Sequence, residues 1–271
     1  MCIWSNHPEP EVLRSKGSED VAEHRPYTLL AQYYDQFFSS HIPWYQRARR
    51  ELLGGILPRV RSACDLACGT GTTAIELRHQ GIKVFGVDLS PTMCRLARSK
   101  ARHARARVVF IRNDMRTFRL PEPVDLVLCE YDALNHLSQK SDLARTARAV
   151  AHALHAGGYF YFDVNNRQHL EKNWPGTHWS EKSGAVLVMR GSYDRRRAKG
   201  CIDLEWFIRE RTLWRRFHGH VEEVWWTASE IRRALHGAGF ERVRSWDARH
   251  FWPGQPRLSA GCRTFYLAQL A

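Results

Sequence analysis

The sequence lacks any long apolar run, which excludes a helical membrane span. No stretch approaches the ~18 consecutive apolar residues that a helix needs to cross a bilayer. Residues 1–25 are polar and charged, without the apolar segment of a secretory signal, so a cytoplasmic protein without membrane partners is expected. A length of 271 residues allows a full hydrophobic core, in one large α/β domain or in one domain with an insertion.

Cysteine and histidine are present but do not form the patterns that bind metal. The seven cysteines are scattered and do not form the two matched C-x-x-C pairs of a zinc site. We expect reduced structural thiols. His218 and His220 alternate along a predicted strand without evident partners, so the sequence predicts no metal site.

Acidic residues are outnumbered, since 28 stand against 41 lysines and arginines and give a formal net charge of +13. Such an excess is typical of proteins that bind nucleic acid. The positive residues are spread out, however, and one group is expected to form the solvated face of a helix. It comprises Arg95, Arg98, Arg102, Arg105 and Arg107. Nucleic acid is therefore a possible partner that the sequence does not favour.

Residues 63–73, ACDLACGTGTT, predict a strand, a tight turn and the start of a helix. Gly69 and Gly71 allow positive φ angles and let a ligand approach the main chain. The helix that follows directs its unpaired N–H groups toward whatever lies above the turn. The pattern therefore indicates a nucleotide-like ligand.

Asp65 discriminates between the ligands that such a turn binds. A dinucleotide fold places a pyrophosphate over the turn, and Gly69, Gly71 and Ala74 satisfy its relaxed glycine spacing. A carboxylate at this point repels a pyrophosphate at close range but attracts a ligand whose nearby groups are cationic. S-adenosylmethionine carries a sulfonium and an ammonium and no phosphate, so Asp65 favours it over NAD.

Residues 65–71 resemble motif I of class I S-adenosylmethionine-dependent methyltransferases, with Ala67 in place of the first glycine. This resemblance implies an α/β, Rossmann-like fold with a seven-stranded, mostly parallel sheet whose last strand is antiparallel. It also implies S-adenosylmethionine as the cofactor and S-adenosylhomocysteine as its product. The motif residues expected to contact the cofactor are Asp65, Ala67, Cys68, Gly69, Thr70 and Gly71.

Further cofactor contacts are expected at the ends of the next strands. Asp88 ends a short apolar strand about 20 residues after the glycines, the spacing at which a carboxylate reaches a ribose. Leu89 can lie against the adenine, and Met93 is placed to face the cofactor from the next helix. The resemblance further implies that Asp114 accepts a hydrogen bond from the adenine amino group and that Met115 lends its amide to a ring nitrogen.

The acceptor is expected at the end of the fourth strand. Methyltransferases of nucleic-acid bases usually carry an Asn- or Asp-Pro-Pro-aromatic run or a Pro-Cys nucleophile there, and neither is present. Instead, residues 132–137 resemble the D-x-L-N-x-L run of bacterial small-molecule methyltransferases, a group that includes amino-sugar N-methyltransferases. Glu130 is expected to contact the cofactor. His136 is either a base that also orients the acceptor or a buried, hydrogen-bonded histidine.

By the same resemblance, a predicted aromatic helix near the N-terminus closes over the cofactor. It places Tyr34 near the methionine end of the cofactor or in the acceptor pocket, where we expect a catalytic or binding role. Packing of the aromatic residues on the sheet is the alternative.

Three regions follow from these patterns. Residues 1–26 are expected to form a flexible tail, residues 27–165 and 224–271 the methyltransferase domain, and residues 166–223 an inserted antiparallel β lid over the substrate. Six aromatic residues of the insertion could cover an acceptor, hold an amine by cation–π contact, or form the insertion's own core. They are Trp174, Trp179, Trp206, Phe207, Trp214 and Phe217.

The sequence therefore predicts transfer of a methyl group from S-adenosylmethionine to a nitrogen or oxygen of a small-molecule acceptor by in-line displacement. Three alternatives remain: an RNA methyltransferase that uses the basic surface, an NAD-dependent oxidoreductase, and a protein that binds the cofactor without catalysis. Relatives commonly carry an arginine just before the last helix, where this chain has Val224, Trp225 and Trp226, so the resemblance does not assign the acceptor.

Overall fold

The computed structural model describes residues 27–251 and 261–271, so the predicted flexible tail, residues 1–26, lies outside the described residues. In chain order the strands are β1 (Ser62–Leu66), β2 (Lys83–Asp88), β3 (Val108–Arg112), β4 (Val124–Cys129), β5 (Leu154–Asn165), β6 (Gly176–Lys182), β7 (Ala185–Asp194), β8 (Lys199–Glu210), β9 (Leu213–Val224), β10 (Phe240–Asp247) and β11 (Arg263–Leu270). The α-helices are α1 (Tyr27–Phe38), α2 (Ile42–Leu53), α3 (Thr72–His79), α4 (Pro91–His103), α5 (Lys140–Ala153), α6 (Arg167–Lys172) and α7 (Ala228–His236). None of the helices in these two segments is long and apolar enough to cross a membrane.

Seven of the strands form the main sheet, in the order β10-β11-β5-β4-β1-β2-β3. Neighbouring strands run parallel except at β11, which is antiparallel to both β5 and β10. The central strands β1 and β4 are almost entirely buried, as expected for a parallel sheet with helices on both faces. The predicted Rossmann-like sheet with an antiparallel last strand is confirmed.

The helices of the main domain begin where the sequence supplies caps. The Ser90 hydroxyl accepts a hydrogen bond from the Met93 amide at 3.3 Å, and Pro91 fits the first position of α4. Thr227 and Glu230 form a reciprocal capping box at the start of α7. The sequence predicts helices that begin at Thr92 and Ala228, and because of these caps the observed helices begin at Pro91 and Ala228.

The predicted end of α5 is wrong. The sequence predicts a helix that runs to His155 and stops at the glycines that follow, but α5 ends at Ala153 and β5 begins at the next residue. The register between β4 and β5 shifts between Val124 and Leu126, and Gly157 takes a φ of 75° within β5. The glycine therefore accommodates an irregularity in the strand instead of ending a helix.

Two helices precede the main sheet. α1 matches the predicted aromatic helix, and a short 3-10 helix (Ser39–His41) separates it from α2. α2 begins at Ile42, with Pro43 in its first turn, two residues before the predicted start. It ends at Leu53 instead of continuing to Leu57, because the two glycines that follow favour a break in the helix.

A separate antiparallel sheet has the strand order β6-β7-β8-β9 and occupies the predicted insertion. The sequence predicts three antiparallel segments, at residues 185–193, 201–210 and 213–221, and the structure confirms them as β7, β8 and β9. The sequence did not indicate β6, because its residues are almost wholly exposed and show no apolar alternation. On the buried face of this second sheet, Leu204 and Trp206 belong to a core that includes Phe37 of α1. Helix α1 therefore links the second sheet to the main domain.

Candidate active site

A cavity of about 290 Å³ lies at the carboxyl ends of β1, β2 and β4, the edge at which parallel α/β sheets bind ligands. A smaller cavity of about 60 Å³ adjoins it beside the start of α3. The predicted site residues that line the first cavity are Tyr34, Ala67, Gly69, Asp88, Leu89, Met93, Asp114, Met115, Glu130 and His136. The second cavity adds Asp65, Cys68 and Thr70. The structure therefore brings these residues together around one opening.

The acid that ends β2 shapes the turn between β1 and α3. Ala67 and Gly69 take positive φ angles of 58° and 53° in this turn. Asp88 accepts hydrogen bonds from the backbone N–H groups of Gly69 and Ser90, each at 2.8 Å. Burial raises the pKa of Asp88, although both hydrogen bonds oppose the shift. Asp88 thus fixes the turn and lines the cavity at the same time.

Gly71 is the one predicted site residue that lines neither cavity. It takes a φ of 77° at the start of α3, a conformation that favours glycine. A Cβ atom at this position would lie 2.9 Å from the Phe110 ring and 3.0 Å from the Ala97 side chain. Gly71 therefore serves the backbone conformation and the packing of α3, and the structure does not bring it to the cavity.

Asp65 lies beneath the turn. Only 4% of it is exposed, and its carboxylate accepts a hydrogen bond from the Ala74 N–H at 2.9 Å in the first turn of α3. Burial, together with the nearby Glu130, raises the pKa of Asp65 to about 8. Asp65 therefore supports α3, and its charge acts on the cavity less than the sequence suggests.

Arg49 of α2 is a buried residue of this site that the sequence analysis missed. Its guanidinium pairs with Glu130 and, at 2.6 Å, with Glu76. The Thr73 hydroxyl also donates to Glu130, at 3.1 Å. Burial raises the pKa of Glu130 to about 7, while Arg49 opposes the shift. The Oε1 atom of Glu130 is buried and has no hydrogen-bond partner within the described residues.

Asp114 is already engaged by a neighbouring arginine. Arg116 donates to both carboxylate oxygens of Asp114 at distances of 2.6 to 3.1 Å. These hydrogen bonds lower the pKa of Asp114. Leu89 is 46% exposed and offers an apolar surface at the cavity, while Met93 is buried in its wall. A hydrogen bond from an adenine amino group would therefore share the Asp114 carboxylate with Arg116.

Asp35, the acid of the Tyr-Asp pair, holds helix α1 beside the turn. Asp35 accepts a hydrogen bond from the Thr70 hydroxyl at 2.6 Å and pairs with Lys100 of α4 at 2.5 Å. Lys100 also donates to Thr72 at 2.6 Å. Tyr34 lines both cavities, and burial raises its pKa, so its hydroxyl stays neutral. Asp35 thus holds the helix while Tyr34 contributes to the cavity wall.

A cluster of acids surrounds Arg263 at the end of β4. Arg263 pairs with Asp132 at 2.6 Å and with the buried Asp163. Glu223 is 3% exposed and accepts a hydrogen bond from the Asn165 amide at 2.8 Å. Burial alone would raise the pKa of Asp132, but Arg263 and a hydrogen bond from Glu223 hold it at about 2. Burial and the charge of Asp132 raise the pKa of Glu223 well above its usual range.

His136 stands between this acid cluster and the cavity. Its Nδ1 atom lies 3.2 Å from the Glu222 carbonyl oxygen, so Nδ1 carries the proton of the neutral ring and Nε2 carries the lone pair. Side-chain N and O atoms of His136, Asp132 and Glu223 lie within 4.8 Å of one another. His136 is exposed at the cavity and is not a buried histidine; desolvation of its ring lowers the pKa of His136, while Asp132 acts in the opposite direction. The ring is therefore neutral near pH 7.

The six aromatic residues singled out in the insertion line neither cavity. Trp206 instead packs against Tyr33 and Phe37 of α1. Trp179 and Trp214 are 70% and 50% exposed. Trp206 therefore belongs to a core that the insertion shares with α1, and not to a core of the insertion alone.

Comparison with known proteins agrees with this geometry. Residues 63–158 match a family model described as a methyltransferase domain. The putative methyltransferase YqeM of Bacillus subtilis is 27% identical over 220 residues, which cover 80% of this chain and 87% of that protein. A dTDP-4-amino-2,3,4,6-tetradeoxy-D-glucose N,N-dimethyltransferase of Saccharopolyspora spinosa is 32% identical over 102 residues, or 38% of this chain and 39% of that protein. The crystal structure of an S-adenosylmethionine-dependent methyltransferase from Clostridium acetobutylicum matches with a TM-score of 0.76 at 20% identity, covering 90% of this chain and 99% of that one.

Residues 63–158 form a methyltransferase domain, and the chain resembles class I S-adenosylmethionine-dependent methyltransferases. It resembles the amino-sugar group within that family. The site of this methyltransferase also suits the cofactor, because Glu130 offers a buried carboxylate oxygen without a partner at the junction of the two cavities, where an ammonium can bind. Gly69 leaves open space above the turn, since a Cβ atom there would meet nothing within 4 Å. Asp88 lines the cavity with a carboxylate, the kind of group that binds ribose hydroxyls in this class of fold.

Proposed function

We propose that this methyltransferase methylates an amine nitrogen of a small molecule. The observation that carries the proposal is the excess of negative charge in the acid cluster, which lies beside His136 of the cavity wall. Asp132 and Asp163 carry two negative charges against the single positive charge of Arg263, because burial raises the pKa of Asp163 only to about 6. Glu223 keeps its proton at neutral pH. A protonated amine neutralises the remaining charge, whereas a hydroxyl does not.

The chain's own residues supply what such a reaction needs. When bound, S-adenosylmethionine supplies a methyl group that the positively charged sulfur has already activated. The protein must align the acceptor nitrogen and take its proton. His136 is placed for the second task, since its Nε2 atom carries the lone pair and Asp132 lies close enough to stabilise the imidazolium. The deprotonated nitrogen then has the lone pair that methyl transfer requires.

The name of one relative agrees with nitrogen as the acceptor atom. The Saccharopolyspora spinosa protein is named as an N,N-dimethyltransferase of a dTDP-linked amino sugar. We propose an acceptor of the same chemical class, a small molecule with a basic amine. We further propose that the second sheet acts as the lid of this site, because Glu222 and Glu223 of β9 reach His136 and the acid cluster.

The test compares two isosteric substitutions in the acid cluster. Asp132→Asn removes one negative charge, keeps an oxygen that can accept from Arg263, and suits the φ of 51° at this position. Glu223→Gln replaces a protonated acid by an amide of the same shape. Both variants are assayed with an amine acceptor selected from a panel of small amines and their hydroxyl counterparts, using isotopically labelled methyl donor.

We expect Asp132→Asn to raise the KM for the amine about tenfold or more, at unchanged affinity for S-adenosylhomocysteine. Glu223→Gln should change KM less than about threefold, because no charge is lost. Equal effects of the two substitutions would refute the charge argument. A panel in which the hydroxyl compounds are the better acceptors would refute nitrogen as the acceptor atom.

A further inference from the structure

One face of β8 and β9 carries a cluster of metal-binding side chains outside the active site. The antiparallel register places Cys201 opposite Glu222 and Asp203 opposite His220. Because side chains alternate across a strand, these four residues share the face opposite to Leu204, which packs in the core of the second sheet. Cys201 is partly exposed, whereas the other cysteines within the described residues are buried.

The register also corrects the expectation that the two histidines of β9 lack partners. His218 lies opposite Glu205 with 3.2 Å between Nδ1 and a carboxylate oxygen, and His220 lies opposite Asp203 with 2.7 Å between the corresponding atoms. Pairing across an antiparallel sheet joins residues far apart in the sequence, so it could not be read from the alternation alone.

The spacing of the ligand atoms matches one metal ion. Side-chain ligand atoms of Cys201, His220 and Glu222 all lie within 4.8 Å of one another. The His220 Nε2 atom is 3.5 Å from Glu222 Oε1, and the Cys201 Sγ atom is 3.9 Å from the same oxygen. A tetrahedral zinc ion with ordinary bond lengths holds its ligand atoms roughly 3.3 to 3.8 Å apart. Small movements of the side chains would therefore bring the three ligand atoms to the separations found around zinc.

Asp203 orients His220 for binding a metal ion. A carboxylate only accepts hydrogen bonds, so the 2.7 Å contact places the proton of the neutral ring on Nδ1 and leaves the lone pair on Nε2, toward Glu222. Histidine ligands of zinc almost always donate their second N–H to such a group, which fixes the tautomer and the orientation of the ring.

We propose that Cys201, His220 and Glu222 bind one Zn²⁺ ion, with Asp203 orienting the imidazole and a water completing the coordination. Thiolate, imidazole and carboxylate together are ligands that zinc prefers, whereas Mg²⁺ and Ca²⁺ bind almost exclusively to oxygen. Cys201 binds as the thiolate and releases its proton to solvent. The thiolate and the Glu222 carboxylate then balance the charge of the ion.

The neighbouring charges are compatible with this site. Lys199 binds Glu222 through Oε2 at 2.8 Å, which leaves Oε1 as the oxygen near Cys201 and His220. The next pair along the ladder differs, because Arg216 donates to both carboxylate oxygens of Glu205 at 2.6 and 2.8 Å. His218 therefore offers a matched control on the same strand and face.

An ion at this place would fasten the end of β9 to β8. The carbonyl oxygen of Glu222 lies 3.2 Å from His136 Nδ1, and the next residue, Glu223, belongs to the acid cluster. Zinc would thus act as a structural clamp behind the acceptor end of the cavity. The proposal does not depend on which acceptor the enzyme methylates.

The test titrates the full chain with metal after removal of ions by a chelator. Zn²⁺ binding is followed by calorimetry, and Co²⁺ serves as a spectroscopic probe because a thiolate ligand gives it a charge-transfer band. We expect one ion per chain and a cobalt–thiolate band. Cys201→Ser should abolish that band, and His220→Gln should weaken binding by about 100-fold or more, since it removes a direct ligand. Asp203→Asn should weaken binding about 10- to 100-fold.

His218→Gln should retain stoichiometric binding with an unchanged cobalt spectrum. Circular dichroism checks that each variant is folded. If one variant does not fold, the cobalt spectrum of the unmodified chain still tests the site. The proposal is wrong if the unmodified chain binds no stoichiometric zinc. It is equally wrong if Cys201→Ser and His220→Gln bind zinc as tightly as the unmodified chain, because the ion would then lie elsewhere.

Discussion

The Nδ1 atom of His136, in the main domain, lies 3.2 Å from the backbone carbonyl oxygen of Glu222, in the second sheet. This contact fixes which ring nitrogen of the proposed base carries the lone pair. The residue that follows, Glu223, lies within the acid cluster beside Asp132. The second sheet therefore contributes to the site through the end of β9, and its large aromatic residues lie elsewhere.

Replacing His136 by glutamine tests the proposed base. We expect kcat with an amine acceptor to fall about 100-fold, because general-base help is lost, while S-adenosylhomocysteine affinity stays the same. Desolvation of the ring lowers the pKa of His136 below the ordinary value of 6.5, so its neutral form persists to more acidic pH. The acid limb of the kcat profile should therefore lie below pH 6.5 in the parent enzyme and vanish in His136→Gln.

The control for this substitution is His236→Gln. The His236 ring contacts the Phe240 carbonyl oxygen at 2.8 Å and lines neither cavity. It should leave kcat and the pH profile unchanged. An acid limb that survives in His136→Gln would remove this histidine from the role of base.

Asp88→Ala tests the cofactor site. The substitution removes a carboxylate that lines the cavity and accepts the Gly69 amide, so S-adenosylhomocysteine binding should weaken by about 1 to 3 kcal/mol. Asp247→Ala is matched to it, since Asp247 accepts two backbone amides at 2.7 and 2.9 Å at the far edge of the sheet. Calorimetry should find the affinity of that control unchanged. An unchanged affinity of Asp88→Ala would place the ribose elsewhere.

The two glycines of the turn should respond differently to alanine. Gly69→Ala adds a Cβ atom that meets nothing within 4 Å, so it should weaken cofactor binding and cost only the roughly 1 to 2 kcal/mol of a left-handed alanine. Gly71→Ala drives a Cβ atom into Phe110 and Ala97, and we expect the free energy of unfolding to fall by about 2 to 4 kcal/mol. Urea denaturation and calorimetry of both variants separate the two effects. A larger stability loss for Gly69→Ala would contradict this assignment.

Arg49→Gln leaves the buried Glu130 and the partly buried Glu76 without their cation. Burial lowers the pKa of Arg49, but pairing with Glu130 and Glu76 outweighs this and raises the pKa above its usual range. The guanidinium is therefore charged in the folded protein. Its loss should cost about 3 to 5 kcal/mol of unfolding free energy. Arg47→Gln, on the same helix, removes only an exposed ion pair with Glu51 and should cost less than about 1 kcal/mol. Similar midpoints of urea unfolding in the two variants would show that Arg49 is not needed.

Most residues that the sequence assigns to the cofactor lie together around one opening, and the signals that mark them are local. Gly69 and Asp88 belong to one strand-turn-helix-strand unit, and the spacing between them reflects the geometry of adjacent parallel strands. The capping signals at Ser90 and Thr227 are local too, which is why the helices after them begin where expected.

The acceptor half depends on residues that meet only in the folded chain. Arg263 at the start of the last strand pairs with Asp132 and Asp163. These acids lie 131 and 100 positions earlier in the sequence. No local pattern marks such a residue, and Arg49 likewise resembles the exposed arginines around it until α2 is packed against the sheet. Long-range ion pairs of this kind carry no periodicity that a sequence can show.

The atom that receives the methyl group tests the account most directly. Purified enzyme is incubated with S-adenosylmethionine that carries an isotopically labelled methyl group and with an accepted small molecule, and the product is examined by nuclear magnetic resonance. We predict a labelled methyl group on nitrogen. A label found on oxygen, or transferred only to RNA, would contradict the proposal of an amine acceptor.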